Sequence, residues 1–301
     1  MEEQACLKVS NVRALVTVLQ AIKASIKQNC RLCMAADGVT VRWEDDSKSL
    51  QSSVFMRAGL FADYQLPAGR MEFGLTFSLL MDALNVFASG LGAELVLRYP
   101  GANSELVCEM TEAAEATTVC TYAQLNTINM PQAVDLSDSW QDPSSWFLMP
   151  GLLLKEALED LEWAAAGGHV KLDMQRDSQR ITISAESVNG EMRVELPQDS
   201  LAGFSCAQEQ LQFSYKYKHM RTAFTHIPHQ KETPDVSTKV TLDADGLMKV
   251  THMMSMQSLH EQNISNIGSL PFSGGSQRGP GNSAVVQFLV LPEDDAIPEH
   301  E

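Results

Sequence analysis

Apolar residues recur at Val12, Leu15, Val16, Leu19 and Ile22, a spacing of i, i+3, i+4, i+7 and i+10 that predicts an amphipathic helix in SNVRALVTVLQAI. Ser10 or Asn11 is suited to cap its start. The opposite stripe is polar and basic: Arg13, Thr17, Gln20, Ala24 and Lys27, with Lys23 beside it. Three more helices are predicted, from Ser78 (SLLMDALNVFAS), Gly151 (GLLLKEALEDLEW) and Lys216 (KYKHMRTAFTHI). The last buries Tyr217, Met220 and Phe224 and turns Lys218, Arg221, Thr222 and Thr225 outward. The first and third starts, Val12 and Gly151, lie 139 residues apart, and the second and fourth, Ser78 and Lys216, lie 138 apart. A near-constant offset predicts an internal duplication.

Strand-like sequence fills the intervals. Residues 6–10, 30–36, 39–45, 50–56, 71–77, 93–99, 104–110 and 117–122 alternate or are β-branched in the first half. Residues 169–175, 180–186, 190–196, 211–215, 237–245, 246–254 and 284–291 do so in the second. Asp37-Gly38 and Asp245-Gly246 read as hairpin turns. The expectation is an α+β chain of two tandem similar domains, each with two helices packed on antiparallel sheet. Boundaries are set at 1–125 for the first domain, 126–145 for an extended connector and 146–301 for the second domain. Within the latter, 257–283 reads as a flexible loop and 292–301 as an acidic tail.

Composition narrows the class. No apolar run approaches the ~20 residues of a membrane span, so no membrane partner is expected. MEEQACLKVS is unlike a secretory leader. Six thinly spread cysteines read as free thiols, which points to cytosol or nucleus.

The net charge of −16 argues against nucleic acid until its distribution is read. Residues 4–36 hold Lys8, Arg13, Lys23, Lys27 and Arg31 and no acid. Residues 210–231 hold Lys216, Lys218, Arg221 and Lys231, with His219, His226 and His229, and again no acid. These windows contain nine of the 22 Lys and Arg residues and none of the 38 acids, leaving thirteen bases against 38 acids, or −25, elsewhere. Two acid-free helices at duplicated positions read either as ordinary solvated faces or as one phosphate-facing surface. The other two helices are different: the second carries Asp82 and no base, and the third sets Lys155 against Glu156, Glu159, Asp160 and Glu162.

Catalytic chemistry is hard to assemble. Cys30-x-x-Cys33 lies on a predicted strand, where an odd separation points the two thiols to opposite faces. His226 and His229 lack the spacing and glutamate of a helical zinc site. No nucleotide-binding glycine loop or nucleophile elbow occurs. The acid runs Glu44-Asp45-Asp46, 156–162 and Glu293-Asp294-Asp295 read as solvated faces. A binding module with no catalytic residues, metal or cofactor is the expectation. A metal-dependent 3′ exonuclease stays open on the number of carboxylates alone.

The segments SNVRALVTVLQAI (10–22), VFMRAGLFADYQL (54–66), FGLTFSLLMDALNVFASG (73–90), TVCTYAQLN (118–126) and LPEDDAIPE (291–299) carry a family likeness. In their order and spacing the chain resembles the sliding clamps of the PCNA superfamily, and more specifically the Rad-one family of nine-one-one checkpoint-clamp subunits. The resemblance implies a DNA-clamp fold and a ring of three different subunits around double-stranded DNA, with helices lining the hole. Carried onto this sequence, the lining includes Arg13, Lys23, Lys27, Lys218 and Arg221. It further implies subunit pairing through edge strands, with candidates at 117–122 (Thr118, Val119, Cys120) and 190–196 (Met192, Val194). Implied partners are two other clamp subunits, a clamp-loader ATPase, and checkpoint and repair effectors in the nucleus. A homotrimeric replicative clamp is the alternative within the superfamily; the acidic third helix counts against it.

Overall fold

The computed structural model describes residues 4–23, 28–67, 69–88, 94–113, 118–131, 134–165, 168–188, 190–225, 237–255 and 283–293. In the first half these form β1 (Ala5–Val9), α1 (Val12–Gln20), β2 (Asn29–Ala35), β3 (Gly38–Glu44), β4 (Leu50–Arg57), β5 (Asp63–Gln65), β6 (Met71–Thr76), α2 (Phe77–Ala88), β7 (Leu95–Tyr99), β8 (Leu106–Ala113) and β9 (Thr118–Leu125). The second half follows with β10 (Ser145–Pro150), α3 (Gly151–Asp160), the short α4 (Glu162–Ala165), β11 (His169–Gln175), β12 (Arg180–Ser187), β13 (Gly190–Glu195) and β14 (Gly203–Ser205). It closes with β15 (Gln210–Lys216), α5 (Tyr217–Thr225), β16 (Ser237–Leu242), β17 (Met248–Ser255) and β18 (Ser283–Val290).

The duplication is explicit in the strand order. The first half builds the runs β5-β1-β7-β8-β9 and β4-β3-β2-β6; the second builds β14-β10-β16-β17-β18 and β13-β12-β11-β15. Each strand of the second set is its counterpart in the first moved on by nine. Helix starts keep the offset as well: Val12 to Gly151 is 139 residues and Phe77 to Tyr217 is 140. By contacts the chain divides into unit 1 (Met1–Trp43, Ser53–Gln132, Met254–Val286) and unit 2 (Glu44–Ser52, Ala133–Met253, Gln287–Glu301).

In unit 1, α1 packs against α2. Leu15 and Leu19 of α1 and Leu80 and Leu84 of α2 bury against Leu7, Leu97 and Leu106 and against Leu32, Met34, Val39, Val41 and Met56. The strands present these side chains at alternate positions, as β2 does with its exposed-buried repeat. Cys30 is fully buried while Cys33 is half-exposed, the opposite-face placement the spacing predicts.

In unit 2, α3 packs against α5, over a core that includes Phe147, Leu158, Leu172, Ile183, Tyr215 and Phe224. His252 is wholly buried and satisfied: Nε2 donates to the Ala223 carbonyl at 2.8 Å, and Nδ1 lies 2.7 Å from the Thr238 hydroxyl. A carbonyl only accepts, so the ring is the Nε2–H tautomer and Nδ1 accepts from Thr238.

Several sequence expectations need correction. The third helix is shorter than the Gly151–Trp163 pattern: α3 ends at Asp160, and α4 starts afresh beyond Leu161. The sequence pattern gives no sign of strands β5, β10 and β14. Two have only three residues, too few to show a period. In β10 the alternation of buried Ser145, Phe147 and Met149 runs straight into the helix pattern at Gly151, and Pro150 in an extended conformation marks the break. Ala24, the 257–282 loop and the chain beyond Glu293 lie outside the described residues, as do His226 and His229.

Candidate nucleic-acid interface

The two cationic helices are held by different devices. In unit 1, the Asn11 side chain accepts from the Ala14 N–H at 2.9 Å and caps α1. Past the other end, the Ile22 carbonyl accepts from Trp43 Nε1 at 2.5 Å and from Gln28 Nε2 at 3.2 Å, which fixes the turn that carries exposed Lys23. Arg13 is exposed and donates Nε–H to the Ala88 carbonyl at 2.9 Å, at the last residue of α2. This places a cation on a helix C-terminus, but the carbonyl does not neutralise it. Lys27 lies outside the described residues.

In unit 2, α5 is seated by Tyr217, whose hydroxyl donates to the Leu158 carbonyl at 3.0 Å. Lys218 and Arg221 are exposed on it. Arg221 pairs with Glu162 of α4 at 2.8 Å, so its charge is partly spent within the fold. Lys216, at the end of β15, pairs with Glu293 at 2.8 Å; His169 contacts the same carboxylate. Among the described residues, then, the acid-free windows reduce to three cations without an acidic partner: Arg13, Lys23 and Lys218. Lys8 pairs with Asp63 at 3.7 Å, and Arg31 pairs with Glu72 and donates to the Pro131 carbonyl. The neighbouring helices are of another character. Beside α1, α2 exposes Leu79, Asp82 and Val86; beside α5, α3 exposes Glu156, Glu159 and Asp160.

His219 departs from the expected basic face. It is only 3 % exposed, with Nε2 3.3 Å from the Asp45 carboxylate, and neither ring nitrogen has a hydrogen-bond partner. Nor is Asp45 the solvated acid its sequence context predicts: its carboxylate accepts from Ser47 and from the backbone N–H groups of Ser49 and Leu50. Burial lowers the His219 pKa; Asp45 opposes this, Lys218 and Lys216 add to it, and Glu293 opposes it. Burial pushes the Asp45 carboxyl up, but its bonds from Ser47 and Leu50, the His219 charge and the Ser49 bond outweigh that and hold it low.

Below about pH 6.5 an unfolded histidine takes a proton that the folded one refuses, so stability is complete above that pH and is lost as pH falls toward the folded value. Asp45 contributes above the usual carboxylate range and loses its contribution as pH falls through its own lowered value. The expected result is a melting temperature that declines from about pH 7 to about pH 5, and a His219→Leu variant whose curve is flatter. At neutral pH that variant is no less stable, because a buried polar group without a partner costs roughly 1–3 kcal/mol. A variant curve that bends as the parent's does would defeat this assignment.

The candidate pairing strands both lie at sheet ends. Thr118, Val119 and Cys120 are in β9, the terminal strand beyond β8, and Met192 and Val194 are in β13, the terminal strand beyond β12. Val119 and Tyr122 are 51 % and 55 % exposed, large for β-branched and aromatic side chains in a strand. Ile128 and Gly74 exchange backbone hydrogen bonds at 2.9 and 3.1 Å. Beside them lies a cavity of about 330 Å³ lined by Arg31, Glu72, Phe73, Tyr99, Asn129 and Met130, among others. Among the described residues no three of His, Cys, Asp and Glu converge in a way that could hold a metal ion, and no helix is long and apolar enough to cross a membrane.

Comparison with known proteins gives this geometry a context. The model of the family described as "Repair protein Rad1/Rec1/Rad17" matches residues 6–254. The human "Cell cycle checkpoint protein RAD1" is 24 % identical over 209 residues, 67 % of this chain and 71 % of that protein. The mouse protein of the same name is 25 % identical over 217 residues, 69 % of this chain and 74 % of that one. Among solved structures, PCNA from Thermococcus kodakaraensis superposes with a TM-score of 0.68 at 14 % identity, covering 96 % of this chain and all of its own. A chain of the PCNA2-PCNA3 complex from Sulfolobus tokodaii gives 0.67 at 13 %, covering 95 % and 98 %. The fold is that of the DNA sliding clamps, and the chain belongs to the Rad1/Rec1/Rad17 family of repair proteins.

Proposed function

We propose that this chain is a non-catalytic subunit of a heterotrimeric, ring-shaped clamp that encircles duplex DNA in the nucleus and recruits checkpoint and repair effectors. One observation carries the reading: a duplicated clamp topology that ends one sheet on β9 and another on β13. A terminal strand presents unpaired N–H and C=O groups, which another chain's edge can complete. Met192 and Val194 flank one such edge, and Thr118, Val119 and Cys120 form the other. Arg13, Lys23, Lys27, Lys218 and Arg221 supply phosphate contacts without reading sequence. The proposed domains are 1–125 and 146–301, joined by a connector at 126–145. A closed ring cannot thread onto DNA unaided, and the chain lacks a nucleotide-binding motif, so a loader ATPase is a further partner.

Membership in a family of repair proteins and likeness to RAD1 checkpoint proteins support the checkpoint reading over the replicative one. Light scattering tests it: the chain alone, then mixed with the two other clamp subunits of its organism. A monomer that becomes a one-to-one-to-one trimer is the expected result. A particle of three times the chain's own mass formed alone makes it a homotrimeric clamp. A chain that stays monomeric in every mixture removes the ring.

A further inference from the structure

The terminal strands β13 and β9 differ in chemistry. In β13 the register sets Met192 opposite Ala185 and Val194 opposite Ile183, which are both buried, so Met192 and Val194 lie half-buried on the core side. Helix α4 packs on β12 and β13 and leaves Trp163 53 % exposed; a Cβ on Gly190 would stand 3.6 Å from its ring. An exposed indole beside an open strand is a favoured interface anchor. The other face of the β12–β13 pair is charged: Glu191 contacts Arg193 at 3.6 Å, and Glu195 contacts Arg180 at 3.2 Å. Exposed Glu186 stands directly opposite exposed Glu191, and like charges so placed are unfavourable. Acids dominate this edge, with four against one base in residues 151–165 and three against two in residues 180–195. The β9 edge is the opposite case. Its sequence TVCTYAQL carries no charge, and α2, which packs on it, has Asp82 alone. From Met71 to Leu154 the chain holds a single Lys or Arg, Arg98, and Glu109 pairs with it.

We infer that the β13–α4 edge receives the terminal strand of a different clamp subunit, one that carries Lys or Arg, with Trp163 as the apolar anchor; this rests on the clamp reading above. A second copy of this chain does not fit there. Its β9 and α2 would cover the acids and bring no unpaired cation, and a covered carboxylate needs a counter-charge. Its β13 would set carboxylates against carboxylates, the kind of juxtaposition that rejects a wrong partner. A cationic strand supplies what the edge lacks. It hydrogen-bonds along β13, relieves Glu186 and Glu191, and closes over the indole. The chemistry of this one edge therefore favours a ring of unlike subunits over a homotrimer.

The test measures pairing of the full chain with each of the two other clamp subunits of its organism, by biolayer interferometry at about 50 mM and about 300 mM salt. Trp163→Ala is expected to weaken pairing with one of the two about thirtyfold and to leave the other unchanged. Glu186→Lys/Glu191→Lys is expected to weaken that same pairing about tenfold at the lower salt and less than about threefold at the higher, because salt screens the charges. Val119→Glu, on β9, is expected to remove the other pairing and spare this one. All four side chains are exposed, so the variants keep the fold, which an unchanged melting temperature verifies. If the parent pairs with both subunits and the Trp163 and Glu186/Glu191 variants pair equally well, the inference falls while the ring stands. A loss in the charge variant that is the same at both salts also overturns it, as does a parent chain that forms trimers alone. A parent that pairs with neither subunit removes the clamp reading and the inference together.

Discussion

Reversing Arg13, Lys23 and Lys218 together to glutamate weakens duplex binding by the assembled clamp by about 10²–10³-fold near 0.1 M salt, with the salt slope falling by about three. The size follows from counterion release: each neutralised phosphate contributes about 0.9 to the slope of log affinity against log salt. These three residues are chosen because they are the cations of the proposed lining that keep their charge among the described residues. Arg221 shares its charge with Glu162, so its reversal removes less. The loss extends across all sequences, since phosphate contacts position a duplex without reading bases. Lys239 and Lys249 provide the control. They lie over the rings of Trp146 and Trp140, at 4.8 and 4.2 Å, on strands β16 and β17 and not on the helices. Their reversal leaves the salt slope unchanged. Equal losses from both sets of substitutions would show a response to net charge and remove the helix faces as the DNA contact.

How much of this was legible in the sequence depends on the scale of the signal. A 3.6-residue period survives in a helix of nine or more residues, so α1, α2 and α5 appear within a residue or two of their positions, and the repeated offset exposes the duplication. Three-residue strands carry no period, and β10 merges with the helix beyond it. Single-residue burial was the harder quantity. His219 sits between Lys218 and Met220 in an acid-free window and looks like one more cation; the fold turns it inward against Asp45, which is remote in sequence. Likewise Arg31 and Lys216 count toward a basic surface until the fold supplies Glu72 and Glu293. Charge segregation along the chain therefore finds exposed cations at Arg13, Lys23 and Lys218 and overstates the free charge around them. Only tertiary structure decides which cations are already paired.

The turn at Asp243–Leu247 shows the same division and yields the largest expected loss of stability. Asp245-Gly246 reads as a hairpin turn, and Gly246 indeed takes φ +87°, a conformation side chains resist. What the sequence does not show is its packing. A Cβ on Gly246 would stand 2.4 Å from the Phe213 ring, and the Gly246 carbonyl accepts a 2.7 Å hydrogen bond from the fully buried Tyr215 hydroxyl. Burial raises the Tyr215 pKa, so this hydroxyl stays a donor through the working range of pH. Asp243 is 1 % exposed and its carboxylate accepts from the N–H groups of Asp245, Leu247 and Gln141.

Gly246→Val combines backbone strain with overpacking, each worth about 1–3 kcal/mol. Asp243→Ala strands three N–H groups and is expected to cost about 2–4 kcal/mol. A few kcal/mol is a large share of a typical domain's stability, so either variant should melt well below the parent. Because the Gln141 N–H is tied to Asp243, the Asp243 variant should also lose hydrogen-exchange protection at Gln141, which Gly246→Val spares as long as the carboxylate stays in place. A Gly246→Val chain that melts with the parent would mean that the turn relaxes freely, and Phe213 and Tyr215 would then not be fixed by it.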